Sequence, residues 1–577
     1  MKIKINRNIL WTTLLTDLFV NAGIKYACIS PGSRSTPLTF AIASEKKIKS
    51  FPIVDERASA FFALGIAKSS NSPVVIVTTS GTATAELYPA IIEAYQSRVP
   101  LIVCTADRPS YLRNTGTNQT INQKNIYKNH IRYFAELPLP SIERENIHAL
   151  LSKTSEAILT ATFRNKGPVH LNFQFEKPFE PDSTTDFIDD NLILYANKLS
   201  EKFLSQTKVQ ETISDKDFKL NSIDLITIGV GKFGSDFQKS LDEFSKKYNI
   251  PIFADANSGL RFSKKNLNNL ISNYETLVRN KILSEKFRPK SVIHFGRHLT
   301  SQSLEEFIIR SKAKRFVINE FGDRFDSTKR AKIIKSEPEK FIELVLQSNI
   351  NKASSETLDY LKSSDKKVEE FKHKIFRKSL NEVNIILELL ENIPARSNLF
   401  IGNSLPVRDL DFFSSAIEKE INVFQNRGAS GIDGVISSSL GIALESKQQT
   451  YLIIGDLSFY YDLNSLLIAK QYNIPLKIIL INNNGGAIFN YLPIARQKEI
   501  FNKYFLTPVS FDVKKISESF GINFKLVKSL YEFKKSLLDA NKTNSCLILE
   551  VRTDSLFTKS LKEKFWNSTN KILSRDN

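Results

Sequence analysis

Short β-branched runs alternate with longer segments of helical period along nearly the whole chain, and this alternation restricts the fold more than any other feature. It is the mark of parallel α/β sheets. YACIS (26–30), PVVIVTT (73–79) and PLIVCTA (100–106) are the strand candidates of the first third. LITIGVG (225–231), SVIHFG (291–296) and RFVINE (315–320) follow in the middle, and LFIGNS, YLIIGD and LKIILINNN complete the series. EKPFEPDSTTD (176–186) and the lysine-rich KSSDKKVEEFKHK (362–374) read as linkers. The expected architecture is α/β, with three doubly wound parallel-sheet domains spanning 1–182, 200–350 and 375–577.

An internal echo relates the outer two. Val74–Val103 carries VVIVTTSGT and then a helix ending in IIEAYQSRVPLIV. At an offset of 375, Tyr451–Ile478 carries YLIIGDL and then LLIAKQYNIPLKI, so that Ala94 matches Ala469 and Pro100 matches Pro475. Related first and third domains suggest a ligand held between them. A fainter copy, YNIP before a strand, recurs at Tyr248–Pro251.

Composition narrows the function classes. At 41% hydrophobic and 24% charged residues, the 577-residue chain can build several cores and is not a disordered protein. A net charge of +19 raises nucleic acid, a membrane surface or an acidic small molecule as partners. The lysines are scattered and form no aromatic-interleaved basic motif, so neither nucleic acid nor membrane is expected. Cys28, Cys104 and Cys546 cannot build a disulfide framework and form no CxxC pair, which points to the reducing cytoplasm. The first apolar run is broken by Thr12, Thr13, Thr16 and Asp17. Leu10, Leu14, Leu15, Leu18 and Phe19 then share one helical face, the pattern of a core helix rather than a targeting segment.

The most specific local signal is Gly455-Asp456-Leu457 followed by Asn482-Asn483-Asn484-Gly485-Gly486. Both stretches end predicted strands, where doubly wound folds bind ligands. Asp456 and Asn483 offer hard oxygen ligands, and flexible glycines let a backbone carbonyl join them. Such a set suits Mg²⁺ bridging a diphosphate whose oxygens meet peptide N–H groups. A Gly-Asp turn and an Asn-Gly loop are each common alone; it is their conjunction on successive strand ends that points to a metal.

These residues resemble the thiamine diphosphate enzymes, which carry Gly-Asp-Gly and, further on, an Asn pair. Leu457 replaces the second glycine here, and GDLSFYYDLNSL with NNNGGAIF is similar to the 2-succinyl-5-enolpyruvyl-6-hydroxy-3-cyclohexene-1-carboxylate synthase branch, of menaquinone biosynthesis. SPGSRSTPLT (30–39), VDERASAFFALGIAK (54–68), TSGTATAELYPAIIEA (79–94) and TADRP (105–109) resemble that branch's N-terminal domain. GNSLPVRDLD (402–411) and NRGASGIDG (426–434) resemble its C-terminal domain, while the middle matches loosely. The resemblance implies a pyrimidine-binding first domain, a Rossmann-like second and a diphosphate- and metal-binding third. It implies thiamine diphosphate with Mg²⁺ or Mn²⁺ as cofactors. The implied reaction is decarboxylation of 2-oxoglutarate and 1,4-addition of the succinyl unit to isochorismate with release of CO₂. A homodimer or a dimer of dimers, with the active site between subunits, is implied as well. Another thiamine diphosphate-dependent decarboxylase or carboligase is the alternative.

The resemblance also assigns residues. Asp55-Glu56-Arg57 alone reads as a helix-start acid pair favoured by the dipole. In this family the carboxylate corresponding to Glu56 meets N1′ of the aminopyrimidine and moves its proton. Ile432, flanked by small residues, becomes a wedge between the cofactor's rings. Arg34, Arg108, Arg408 and Arg427 become carboxylate binders for two dicarboxylic substrates. Ser33, Asn118, Gln119 and Ser404 supply neutral hydrogen bonds, and Ile488, Phe489 and Leu492 line the substrate site. Gly455, Asp456, Leu457, Ser458, Asn483, Gly485, Gly486 and Ile488 hold the cofactor, with Asp456, Asn483 and Gly485 on the metal.

Thr300-Ser301-Gln302-Ser303 departs from the family, which often has a basic pair there; Arg297 and His298 stand a few residues earlier. Gly229, Gly231 and Gly234, with Asp255 beyond, spell a dinucleotide fingerprint. The resemblance outweighs it, because the family's middle domain has this fold and in many members binds nothing redox-active. All six histidines precede the third domain, and a cofactor-centred mechanism suits a site without them.

Overall fold

The computed structural model describes residues 3–205 and 220–574. The start of the expected middle domain between 206 and 219, and the chain ends, lie outside the described residues. The chain divides into two compact units. One comprises Met1–Gln210, Asn426–Lys447 and Tyr460–Pro475; the other comprises Glu211–Gln425, Gln448–Phe459 and Leu476–Asn577.

The first unit is built on six parallel strands: β2 (Tyr26–Ile29), β3 (Lys49–Pro52), β4 (Val74–Thr78), β5 (Leu101–Asp107), β6 (Tyr133–Glu136) and β7 (Val169–Gln174). Their order is 3-2-4-5-7-6. β1 (Ile3–Ile5) and β8 (Asp186–Ile188) form a separate antiparallel ribbon. Every residue of β4, β5 and β7 is buried, as expected where helices cover both faces of a parallel sheet. The amphipathic run read near the N-terminus is the helix Arg7–Asn21, N-capped by Asn6, with Leu14, Leu15, Leu18 and Phe19 in the core.

Helices Glu56–Ser70 and Val435–Ser446 meet backbone to backbone in this unit. A Cβ on Gly65 would overlap the Ser438 carbonyl, and one on Gly441 would overlap the Phe62 carbonyl. Gly434 enters the second helix at φ +61°, its Cα against the Phe61 ring.

The second unit holds two parallel sheets. β9 (Leu225–Ile228), β10 (Ile252–Ala254), β11 (Ser291–Phe295), β12 (Lys314–Asn319) and β13 (Lys332–Lys335) run in the order 10-9-11-12-13. β14 (Ser397–Ile401), β15 (Ile421–Phe424), β16 (Thr450–Gly455), β17 (Leu476–Asn482), β18 (Asn523–Val527) and β19 (Leu547–Arg552) run in the order 15-14-16-17-19-18. Counted within its own sheet, this repeats the first sheet's order strand for strand. The sequence echo falls on the equivalent pairs, β4 with β16 and β5 with β17.

One expectation changes. KSSDKKVEEFKHK lies inside the helix Ser355–Phe376 and is no extended linker. Leu361, Ser364, Val368, Lys372 and Phe376 are buried at helical spacing, and Asp365 and Glu369 turn inward to Asn273. EKPFEPDSTTD likewise runs directly into β8. No helix among the described residues is long and apolar enough to cross a membrane.

Candidate active site

In the first unit, the functional side chains leave the carboxyl ends of three neighbouring strands, β2, β4 and β5. Ser33 and Arg34 follow β2, in a loop where a Cβ on Gly32 would run into Thr79. Arg34 Nη1 donates to the Phe175 carbonyl at 2.6 Å, and its guanidinium lies 4.8 Å from the Phe179 ring centroid. Arg108 follows β5 and is buried. Its Nη1 donates to Ser80 Oγ, after β4, and to the Gln119 carbonyl at 2.7 Å. Burial and the positive charge of Arg108 both lower the pKa of Arg34, so the two guanidiniums share one field. Gln119, at φ +54°, donates from Nε2 to the Ser80 carbonyl at 3.0 Å, while the Asn118 and Ser33 side chains face solvent. Two cations beside hydroxyl and amide groups are a set able to bind a carboxylate.

A buried polar chain holds this cluster. Asp107 Oδ1 accepts from the Arg108 N–H at 2.7 Å, and Oδ2 accepts from Arg113 and Asn172. Gln123 donates to Asn172 and accepts from the Gly81 N–H at 3.0 Å. The sequence reading missed Gln123; nothing in KNIYKN around it marks it as fully buried.

Glu56 is the first residue of its helix, with Asp55 as N-cap accepting from the Ala58 N–H at 3.0 Å. It is half-buried. Burial raises its pKa, its own peptide N–H opposes the rise, and Asp55 and Glu86 add to it. Beside it, Arg57 donates to the Tyr461 carbonyl and lies over that ring. Asp462, fully buried, accepts from the Ser437 N–H and Ser465 Oγ, and burial pushes its carboxyl up to about 6.

Arg427 and Ile432 sit on the loop 426–434 of the same unit. Glu93 anchors that loop by accepting from the Gly428 and Ala429 N–H groups at 2.9 and 2.7 Å. Lys68 and Ser97 complete its shell at 3.2 and 2.6 Å. Burial works to raise the Glu93 pKa, but Lys68 and the hydrogen bonds outweigh it and hold the carboxylate below the usual range. Arg427 is buried, whereas Ile432 is 38% exposed.

In the second unit, β14, β16 and β17 are neighbours and their carboxyl ends carry the other cluster. Gly402 lies against β16, donating to the Ile453 carbonyl at 2.8 Å. Beyond it, Ser404 takes φ +74°, and its carbonyl accepts from Arg408 Nη1 at 2.6 Å. Asp456, after β16, is buried and accepts from the Leu457 and Gly485 N–H groups at 2.7 and 2.8 Å. Burial raises its pKa and these peptide N–H groups pull it back. Asn483, after β17, donates Nδ2 to Glu382 at 2.7 Å, which leaves Oδ1 as its free acceptor.

Glycine is required around that loop. Gly485 has φ +127°, and a Cβ there would strike the Leu506 carbonyl; one on Gly486 would crowd Phe505 and Phe489. Leu457 and Ser458 open the helix after β16, and Ile488, Phe489 and Leu492 form the turn after the glycines, half-buried to exposed. A buried carboxylate, an amide oxygen and a close-packed glycine cradle fit Mg²⁺ with a diphosphate. The described residues contain no cluster of three or more His, Cys, Asp or Glu.

In the middle sheet, Asp255 is fully buried and accepts from the Thr300 and Asn257 N–H groups. The ring of Phe233 fills the space beside Gly231. Ser301, in the segment that departs from the family, caps the helix Gln302–Ser311 and donates to Glu275.

Three family profiles match the chain. The thiamine pyrophosphate enzyme N-terminal TPP binding domain matches residues 11–126, the middle domain 197–401, and the C-terminal TPP binding domain 416–551. Curated relatives named 2-succinyl-5-enolpyruvyl-6-hydroxy-3-cyclohexene-1-carboxylate synthase include that of Oceanobacillus iheyensis, 34% identical over 93% of both chains. That of Trichodesmium erythraeum is 35% identical over 95% of this chain and 96% of its own. That of Geobacillus kaustophilus is 33% identical over 98% of both. Among solved structures, benzoylformate decarboxylase from Polynucleobacter necessarius shares the fold, with a TM-score of 0.67 at 15% identity over 94% of this chain and 98% of its own.

Proposed function

Because the chain belongs to the 2-succinyl-5-enolpyruvyl-6-hydroxy-3-cyclohexene-1-carboxylate synthase family of thiamine pyrophosphate enzymes, we propose that it joins 2-oxoglutarate to isochorismate with loss of CO₂. The reaction would be a cytoplasmic step of menaquinone biosynthesis, and the buried, unpaired state of all three cysteines suits a reducing compartment. The observation that supports this reading is the pair Arg34 and Arg108, which follow β2 and β5 on either side of β4, with Ser80 and Gln119 beside Arg108. A dicarboxylic substrate needs such a pair; a simple 2-oxo acid decarboxylase does not.

Thiamine diphosphate, when bound, supplies the electron sink for decarboxylation and carbon–carbon bond formation. The chain's own residues bind, orient and move protons. Asp456, Asn483 and the Gly485 carbonyl would hold Mg²⁺ or Mn²⁺, and Gly455, Leu457, Ser458, Gly486 and Ile488 would enclose the diphosphate. Glu56 would hold the proton at N1′ of the aminopyrimidine, a task its raised pKa suits. Ile432 would keep the cofactor bent. Arg34, Arg108, Arg408 and Arg427 would bind the carboxylates, with Ser33, Asn118, Gln119 and Ser404 on neutral oxygens and Phe489 and Leu492 along the ring.

We assign 1–182 to pyrimidine binding, 200–350 to the central Rossmann-like domain, and 375–577 to diphosphate and metal. Two copies would assemble so that Glu56 of one serves the cofactor of the other. The exposed Val54 and Tyr461 close to Glu56 supply apolar surface for that contact. The test is CO₂ release from 2-oxoglutarate, with thiamine diphosphate and Mg²⁺, in the presence and absence of isochorismate. Release coupled to adduct formation is expected. Full-rate release without isochorismate would mark a simple decarboxylase instead.

A further inference from the structure

Glu382 opens the helix Glu382–Asn392 and is 2% exposed. Its Oε1 accepts from Asn483 Nδ2 at 2.7 Å and from Thr553 Oγ1 at 3.1 Å. Thr553 in turn is fixed by its N–H to the Asn482 carbonyl at 3.1 Å, so the last residue of β17 and the first of the loop after it both lean on this one carboxylate. Close by, Lys562 pairs with Asp409 at 2.6 Å, both buried, and lies 5.6 Å from the Tyr491 ring centroid. Asp409 adjoins Arg408, and Tyr491 ends the turn that carries Ile488 and Phe489. One buried charge cluster thus ties together the metal loop, the Arg408 helix and the substrate-side turn.

An apolar residue would fill this position without the cost of burying a charge. What a carboxylate adds is a surface that only accepts hydrogen bonds. It therefore selects the NH₂ end of the Asn483 amide and turns Oδ1 the other way. The two ends of an amide have nearly the same shape, and an NH₂ group cannot ligate a cation. We infer that Glu382 is a positioning residue for the metal, holding Asn483 with its oxygen toward the cation. The inference rests on the reading of Asn483 as a metal ligand.

The test is calorimetric titration of the full chain with Mg²⁺ in the presence of thiamine diphosphate. Glu382→Leu, which keeps the volume and removes the acceptor, should weaken Mg²⁺ about 10- to 100-fold, the range for lost outer-shell partners. Glu382→Gln keeps a carbonyl for Asn483 and Thr553 and should lose less than about tenfold. In an Asn483→Asp background there is no amide to orient, and Glu382→Leu removes a like charge. The same substitution should then weaken Mg²⁺ far less than in the wild-type background. Unchanged binding in Glu382→Leu, equal weakening in both backgrounds, or a loss in Glu382→Gln beyond about tenfold would each overturn the role. Wild-type chain that binds thiamine diphosphate without Mg²⁺ would overturn the reading of Asn483 beneath it.

Discussion

The first and third sheets run in one strand order, yet the carboxyl ends of their first, third and fourth strands carry opposite chemistry. At the offset of 375, Gly81 matches Asp456 and Arg108 matches Asn483. In the first sheet these positions gather guanidinium groups, a hydroxyl and amides, a set that takes anions. In the third they gather a carboxylate, an amide oxygen and a glycine carbonyl, a set that would take the cation and diphosphate of the proposed function. Both keep a glycine at positive φ beside the site, Gly81 at +86° and Gly485 at +127°. The fold decides where groups emerge, and one residue at each strand end decides the sign of what they bind.

That contrast can be broken residue by residue. Asp456→Ala should have the largest effect on binding. Losing a direct ligand should weaken Mg²⁺-dependent retention of thiamine diphosphate beyond the roughly 100-fold of an outer-shell loss, as read by calorimetry. Unchanged retention would remove the metal from the third sheet. Arg108→Ala strips a charged donor from the first sheet and should lower kcat/KM about 10- to 100-fold, or roughly 1.5–3 kcal/mol, with cofactor affinity unaltered. A matching loss of cofactor affinity would blur the division between the sheets.

Smaller effects probe the supports rather than the ligands. Gly65→Ala forces a methyl group into the Ser438 carbonyl and should cost about 1–3 kcal/mol, seen as a lower Tm. Glu93→Gln tests the anchor of the loop 426–434 through pH. The folded pKa of Glu93 lies below its unfolded value near 4.3, so its stabilisation is present above that value and fades as pH falls through the folded one. The Tm difference between wild type and Glu93→Gln should therefore be full at pH 7 and shrink below about pH 4. A difference independent of pH would mean the contribution is steric.

The runs YACIS, PVVIVTT and LKIILINNN were legible because interior parallel strands are covered on both faces and so stay apolar throughout. Edge strands escaped, and so did interior β7 (VHLNFQ) and β19 (LILEVR), whose runs mix polar with apolar residues. β13 (KIIK), β15 (INVF) and β18 (NFKLV) are covered on fewer sides, and their mixed patterns carry no such signal. Asp456 and Asn483 stood out because the loop needs its glycines in sequence with them. Glu93 and Glu382 did not, since each reads as an ordinary helical glutamate. Their burial is decided by partners far along the chain, at Gly428 and Asn483. A weak cue existed in both cases: each follows or precedes buried apolar neighbours, Ile91 and Ala94 around Glu93, Val383 and Ile385 after Glu382.

Under the proposed function labour is divided, the third sheet holding the cofactor and the first supplying the catalytic proton. This division is tested most directly by measuring thiamine diphosphate binding and turnover together in Glu56→Gln. Binding should still depend on Mg²⁺ while kcat falls roughly 10²- to 10⁴-fold. Near-normal turnover in that variant would contradict it.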